Sequence, residues 1–248
     1  MLIVSNWKAY IADTKTAKAL VAAAKRATRS KVQLIIAPPA PYIGLFTDGK
    51  APKSKKLSFA AQDVSLSTGG AATGEVTAVA LAGLGLTHVI VGHSERRAMG
   101  ETDDVILAKV QHVLANGLTP ILCIGERQRD PEAKYLSFLR MQLAAVFTPL
   151  SPRDRGRVIV AYEPIWAIGK SASDSIQPHD LHEMVLYIRK VLADYLPSGA
   201  KNISILYGGS VEPANIRALA EEGQVQGFLV GRASTDVASY TGLIKALS

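Results

Sequence analysis

Residues 158–169 read VIVAYEPIWAIG. Five residues suited to a buried strand lead directly into Glu163, and Pro164 follows it at a point where a ladder hydrogen bond could no longer form. An apolar segment then runs to Gly169. A short, almost wholly apolar strand is typical of a parallel sheet covered on both faces, so the stretch predicts such a strand with Glu163 at its carboxyl end.

Similar runs recur along the chain and define the fold class. Eight candidate strands are Leu2–Ser5, Gln33–Ala37, Leu57–Ala61, His88–Val91, Pro120–Ile124, Val158–Tyr162, Ile203–Tyr207 and Gly227–Val230. Segments with helical apolar spacing separate them, for example Leu181, Met184, Val185, Ile188, Val191 and Leu192. Eight such units in 248 residues predict an α/β fold, a parallel (β/α)8 barrel in one domain over residues 1–248. A doubly wound open sheet usually has fewer strands.

Composition limits the classes of function. No apolar run approaches the roughly 20 residues of a membrane helix, and the N-terminus lacks the charged region of a signal peptide. We therefore expect a cytoplasmic protein without membrane contacts. The single cysteine, Cys123, rules out an intramolecular disulfide, and no metal-ligand spacing is present, so we expect no metal.

The net charge of +7 could reflect nucleic acid, an anionic substrate or solubility alone. The densest basic run is Lys50, Lys53, Lys55 and Lys56, without interleaved aromatic residues. No base-reading motif accompanies it, so we expect a solvated surface and no nucleic-acid partner.

Polar residues cluster where the strands end. They are Asn6, Lys8, Gln62, His93, Glu95, Glu126, Glu163, Ser210 and the segment 231–234. In a parallel barrel all of these positions lie at one mouth, where active sites of this fold are built. Any single member could be a loop residue facing water, but their joint placement favours a functional site.

Two glycine-containing strand exits, residues 207–211 and 230–234, predict a phosphate site. Glycine lets backbone N–H groups approach an anion closely, and the loops after strands 7 and 8 often bind phosphate in barrels. Ordinary tight turns are the alternative explanation for these glycines.

His93 and Glu163 suggest acid–base chemistry. His93 precedes a predicted helix, whose N-terminal end disfavours an imidazolium and leaves a neutral N–H donor. Glu163, partly desolvated at the end of an apolar strand, would be a strengthened base. This pair suits removal of a proton α to a carbonyl with stabilisation of the enediolate, and Lys8 would attract an anionic substrate.

The sequence resembles the triosephosphate isomerase family along essentially its whole length. The resemblance rests on Asn6-Trp7-Lys8, on residues 61–65 (AQDVS), 73–76 (TGEV), 91–97 (VGHSERR), 121–126 (ILCIGE), 161–169 (AYEPIWAIG) and 206–211 (LYGGSV). The glutamate with a neutral histidine is a known pattern for this family.

The resemblance implies cofactor-independent interconversion of dihydroxyacetone phosphate and D-glyceraldehyde 3-phosphate, in glycolysis and gluconeogenesis. Glu163 would shuttle the proton between carbons and His93 would polarise the carbonyl. Lys8 would hold the substrate, Asn6 would orient its oxygens, and Glu95 would support Lys8. Phosphate would be bound by backbone N–H groups, those of Gly169, Ser210, Gly231 and Arg232.

By the same resemblance, Pro164–Gly169 is a lid that shields the enediolate from water. Trp166 and Ile168 are expected to gain packing partners only when it closes. The far hinge, 170–175, departs from the family pattern, which puts the closing rate in question. Arg232 stands where the family usually has glycine, and we expect it to open a short helix and point outward.

The segment 65–75 has the family's full length and implies a homodimer, with Thr73 near Asn6 and Glu95 of the other chain. Ala72 takes a position that is often aromatic, so the interface would be less well filled.

Two other functions are alternatives. A different phosphosugar barrel enzyme, an epimerase or synthase, would need metal ligands or a Schiff-base lysine at a strand end. A non-catalytic scaffold on the barrel would need none of Glu163, His93 and Lys8.

Overall fold

The protein, seen in a computed structural model, is a closed barrel of eight parallel strands paired in chain order, with β8 against β1. The structure describes residues 1–50, 54, 56–169 and 175–248. The strands are β1 Leu2–Asn6, β2 Gln33–Ala37, β3 Leu57–Ala61, β4 His88–Val91, β5 Thr119–Ile124, β6 Ile159–Tyr162, β7 Ile205–Tyr207 and β8 Gly227–Val230. The predicted (β/α)8 barrel is confirmed.

The described helices surround the barrel. They are α1 Thr14–Ala27, α2 Ala78–Gly83, α3 Ser94–Ala98, α4 Asp103–Ala115, α5 Lys134–Phe147, α6 Pro152–Arg155, α7 Pro178–Ala193, α8 Ile216–Glu221 and α9 Val237–Ala246. Side-chain caps fix where several of them begin. Asp13 accepts a hydrogen bond from the Thr16 N–H ahead of α1, and Thr102 accepts one from the Val105 N–H ahead of α4.

Two apolar cores explain why the strands do not alternate in polarity. Residues such as Val4, Ile35, Ile90 and Leu229 fill the barrel interior. Their neighbours in sequence point outward and pack beneath the helices, in a second and larger cluster. Because both faces of the sheet are buried, each strand is apolar throughout.

Four of the eight strand predictions agree with the structure at both ends, and four differ by one or two residues. β1 extends through Asn6, which pairs with Ala37, and β5 begins at Thr119, which pairs with His88. β6 and β7 begin later than predicted because turns precede them. The Val158 N–H donates to Arg155 O, and the Ile203 N–H donates to Ala200 O at the end of a 3-10 helix.

His88 introduces an ionisable group at the amino end of the barrel. It lies on the same face of β4 as Ile90, which belongs to the interior core. Its Nδ1 is 2.6 Å from Thr87 Oγ1. Burial lowers the pKa of His88 to about 4, from an ordinary 6.5.

We predict that His88 makes the barrel acid-sensitive. The unfolded chain binds this proton below about pH 6.5 whereas the folded chain binds it only near pH 4, so the free energy of unfolding falls as the pH drops through that window. The loss reaches about 3 kcal/mol. Urea unfolding of His88→Gln at pH 4.5 and pH 7.5 should give a smaller difference than the wild type. His179→Gln, at a histidine whose side chain is 76% exposed, is the control and should keep the wild-type difference.

Candidate active site

A cleft of about 370 Å³ opens at the carboxyl ends of the strands. Among the predicted site residues, those that line it are Asn6, Lys8, His93, Glu163, Gly169, Ser210, Gly231 and Arg232. Glu95 reaches the cleft through its contact with Lys8. Sequence reasoning did not single out Tyr10, Glu212, Asp236 and Ser239, which also line the cleft. They come after strand ends, but nothing in their local sequence distinguishes them from solvated loop residues.

Lys8 is held in a strained backbone conformation at the end of β1. Its φ is 47°, in the left-handed region that residues other than glycine rarely adopt. Asn6 Oδ1 accepts from the Lys8 N–H at 3.0 Å, and the Gln62 amide donates to Lys8 O at 3.0 Å. Hydrogen bonds to the N–H and to the carbonyl of Lys8 therefore stabilise this strained backbone conformation. The conformation turns the ammonium into the cleft, where Nζ lies 2.8 Å from Glu95 Oε1.

Glu163 is 2% exposed and meets two donors from the exit of β4, two strands away in the barrel. His93 Nε2 lies 3.1 Å from Glu163 Oε1, and the Ser94 N–H donates to Oε2 at 3.1 Å. The carboxylate and the imidazole, from β6 and β4, are therefore in direct contact in a largely dry part of the cleft. A carboxylate in such surroundings interacts strongly with any charge that develops nearby.

The hydrogen bonds of His93 define its tautomer. The Glu95 N–H donates to His93 Nδ1 at 3.2 Å, so this nitrogen presents a lone pair. Nε2 then carries the proton and donates it toward Glu163. The arrangement is that of a neutral imidazole, because an imidazolium would have no lone pair for the Glu95 N–H.

Two glycines give Glu163 the room it occupies. A Cβ on Gly208 would lie 2.8 Å from Glu163 Cγ, and a Cβ on Gly125 would lie 1.8 Å from Glu163 O. Any other residue at these positions would push the carboxylate out of place. Below it, Cys123 belongs to the barrel interior, and burial raises the pKa of its thiol well above the ordinary value, so it packs there as a neutral group.

Backbone donors surround the other end of the cleft. Within the described part of the chain, the N–H groups of Gly169, Gly231 and Arg232 donate no hydrogen bond to a backbone carbonyl, and neither does the Ser210 N–H, which lies beside the Tyr207 hydroxyl. Arg232 begins a 3-10 helix that ends at Ser234, and its side chain is 69% exposed, which agrees with the predicted outward orientation. A cluster of N–H groups without backbone acceptors is suited to an anion.

The segment Pro164–Gly169, which we expect to be a lid, contains a 3-10 helix, Ile165–Ala167. Hydrogen bonds to Glu126 connect it to the neighbouring strands β5 and β6. Glu126 Oε1 accepts from the Tyr162 hydroxyl and from Trp166 Nε1, each at 2.8 Å. Burial raises the pKa of Tyr162 well above its ordinary value, so the phenol stays a donor. The Arg129 guanidinium lies 5.1 Å from the centre of the Trp166 ring.

These contacts correct one expectation. Trp166 does not wait for lid closure to find partners: in this state it packs against the core and donates to Glu126. An indole carries a donor that must be satisfied when it is partly buried, and the carboxylate at the end of β5 satisfies it. Glu126 lies at the mouth as predicted, but it accepts from Trp166 and does not line the cleft.

Some predicted features fall outside the described residues. They are the altered hinge at 170–174 and two members of the basic run, Lys53 and Lys55. Among the residues that are described, no three His, Cys, Asp or Glu side chains are grouped so as to hold a metal ion. In the same part of the chain, no helix combines the length and apolar character needed to cross a membrane.

A parallel barrel with a carboxylate against a neutral imidazole and a cluster of anion donors at one mouth defines an acid–base enzyme of the (β/α)8 class. The particular family follows from comparison. A family model described as triosephosphate isomerase matches residues 1–247, and the chain belongs to the triosephosphate isomerase family.

Individual relatives agree with this assignment. The chain is 38% identical to the triosephosphate isomerase of Roseiflexus castenholzii, over 100% of this chain and 97% of the relative. It is 42% identical to that of Bacteroides fragilis, over 84% of this chain and 83% of the relative. The enzyme of Symbiobacterium thermophilum is 35% identical over 99% of this chain and 96% of its own length.

The His93 tautomer can be tested directly. Nitrogen-15 NMR of histidine-labelled protein at neutral pH should show one imidazole with a protonated Nε2 and an unprotonated Nδ1, because the Glu95 N–H requires the Nδ1 lone pair. His93→Gln identifies the resonance by its disappearance. Two protonated nitrogens at neutral pH would contradict the assigned geometry.

Proposed function

We propose that the protein, acting as one domain over residues 1–248, interconverts dihydroxyacetone phosphate and D-glyceraldehyde 3-phosphate through an enediolate. The observation that carries this proposal is the 3.1 Å contact between Glu163 Oε1 and the protonated Nε2 of a neutral His93, in one cleft with Lys8. Proton transfers between side chains and substrate need no electron carrier, so the reaction as proposed uses no cofactor.

Glu163 is the proposed base. It takes the proton from one substrate carbon and returns it to the adjacent carbon. In this state both of its oxygens accept hydrogen bonds, from His93 and from the Ser94 N–H. Substrate binding therefore has to draw the carboxylate away from these donors, which frees Nε2 of His93 for the substrate oxygens.

His93, Lys8 and Asn6 are proposed to stabilise the charge that develops on those oxygens. A neutral N–H donor can polarise the carbonyl and exchange a proton between the two oxygens. The Lys8 ammonium adds fixed positive charge, and its backbone is locked by the Asn6 and Gln62 contacts described above. Glu95 keeps the ammonium aimed into the cleft through the 2.8 Å ion pair.

The backbone N–H groups of Gly169, Ser210, Gly231 and Arg232 are the proposed phosphate site. Among the described residues none of them donates to a backbone carbonyl, and the lid supplies one of them, from Gly169. Phosphate binding would thus favour the closed lid, which excludes water from the enediolate. A non-catalytic scaffold is not favoured, because it would need neither these donors nor the strained Lys8.

Substitution of Glu163 should separate base strength from position. With D-glyceraldehyde 3-phosphate in a coupled assay, Glu163→Gln should lose about a thousandfold in kcat, since it removes the base. Glu163→Asp keeps the charge but withdraws it by one methylene, which should cost about a hundredfold. Circular dichroism and thermal unfolding check that the variants fold. If Glu163→Gln kept half the activity of a folded wild type, Glu163 would not be the base.

We also propose a homodimer through residues 65–75, in the cytoplasm. This loop is closed at its base, because the Ser65 N–H donates to Val76 O and the Ser65 hydroxyl donates to Glu75. Exposed apolar side chains occur in this loop and after each of the first four strands: Tyr10, Leu45, Leu66, Val76 and Met99. Exposed apolar side chains at one end of the barrel support burial against a second copy, with twofold symmetry the commonest arrangement.

Sedimentation tests the dimer. The wild type should sediment at about twice its chain mass of 26.4 kDa at micromolar concentration. Met99→Lys, at a side chain 76% exposed in one chain, should shift the equilibrium toward monomer because it would bury a charge in the interface. Met141→Lys, at an exposed methionine on α5, is the matched control and should remain dimeric. A monomeric wild type would defeat the proposal.

A further inference from the structure

Arg232 and Glu212 form an ion pair on the outer rim of the cleft. Arg232 follows β8, Glu212 follows β7, and both line the cleft. The Arg232 Nη2 atom lies 4.0 Å from Glu212 Oε1, with side-chain exposures of 69% and 41%. A Cβ built on Gly231, the residue before Arg232, would lie 3.5 Å from Lys8 Cε and 4.0 Å from Lys8 Nζ. The pair is therefore next to the end of the cleft that holds the anion donors.

This ion pair is too weak to fix the guanidinium. Exposed pairs at such a distance contribute between nothing and about 1 kcal/mol, because water screens them and both side chains lose freedom. The inner pair, Lys8 with Glu95, is closer at 2.8 Å, and the Lys8 side chain is only 18% exposed. The outer arginine can thus change partners at little cost, whereas the inner lysine is held.

We propose that the Arg232 side chain is a second contact for the substrate's anionic group: it leaves Glu212 and binds the phosphate from the solvent side. The inference rests on the proposed function and goes beyond its backbone donors. A guanidinium presents paired N–H groups that match two phosphate oxygens, and such charge-assisted bonds are stronger than those from neutral amides.

The exchange gives Glu212 a role as well. In the free protein its carboxylate holds the guanidinium near the entrance and offsets its charge. A phosphate dianion carries more negative charge than one carboxylate. When it binds, it therefore attracts the Arg232 guanidinium more strongly than Glu212 does and displaces Glu212. The rim thereby favours dianionic substrates over neutral ones, which gain nothing from displacing Glu212.

Anion binding tests this exchange without relying on catalysis. Calorimetric titration with inorganic phosphate should give a Kd about tenfold higher for Arg232→Gln than for the wild type, the effect of one exposed charge-assisted hydrogen bond. Arg232→Lys keeps the charge without the paired geometry and should lie between the two. Glu212→Gln should lower the Kd about twofold to threefold, because the competing carboxylate is gone.

The matched control is Arg217→Gln. Arg217 is also 69% exposed and pairs with Glu221, at 3.1 Å on α8, but it does not line the cleft. Its phosphate Kd should equal that of the wild type. In kinetics, Arg232→Gln should raise KM for D-glyceraldehyde 3-phosphate more than it lowers kcat. It should also reduce the preference in kcat/KM over unphosphorylated D-glyceraldehyde about tenfold.

The outcomes separate the two proposals. If Arg232→Gln and Arg217→Gln bind phosphate equally while the wild type isomerises the triose phosphate, the side-chain contact is overturned and the proposed function stands. If phosphate binding depends on Arg232 but a folded wild type does not isomerise the substrate, the anion contact stands and the proposed function is overturned.

Discussion

The site depends on the closure of a parallel sheet. All strands of the barrel run in the same direction, so their carboxyl ends lie at the same rim. Closure of the barrel therefore brings Ser94, after β4, into contact with Glu163, after β6, although the two residues are about 70 positions apart in sequence. The apolar interior core fixes the strand register beneath that rim. A slip of one residue would turn Glu163 toward the helices and would expose Tyr162 to the cleft.

Above the barrel, the polar groups hold one another in a fixed order. Gln62 and Asn6 lock the backbone of Lys8, and Glu95 then receives its ammonium. The Glu95 N–H in turn sets the tautomer of His93. Glu95 therefore contacts two site residues. Its carboxylate binds the Lys8 ammonium, and its backbone N–H donates to His93 Nδ1, so the positions of the charged lysine and the neutral histidine are linked.

Much of this arrangement could be predicted from the sequence because it follows from local rules. Apolar runs located the strands, and the polar residue after each run had to lie at the mouth. What could not be predicted depends on partners distant in the chain. The Glu126 carboxylate follows a strand as Glu163 does, yet it faces Tyr162 and Trp166 because their donors lie on the other side of the β5–β6 exit. Nor does the sequence alone reveal that partial burial lowers the pKa of His88, since its neighbours on the barrel floor come from β3 and β5.

The anchoring of Trp166 has a consequence for the populations of the lid. Any movement that carries the indole away from Glu126, or Ala167 O away from the Ser210 hydroxyl 2.9 Å from it, breaks hydrogen bonds worth roughly 0.5–1.5 kcal/mol each. If closure broke both bonds and formed no others, the unliganded closed form would be a minority of roughly 1–15% of molecules. A ligand that binds only the closed form then shows an apparent affinity reduced by that fraction. A compound that contacted both the lid and the rim would then shift the population toward the closed form, whereas one that contacted the rim alone would not.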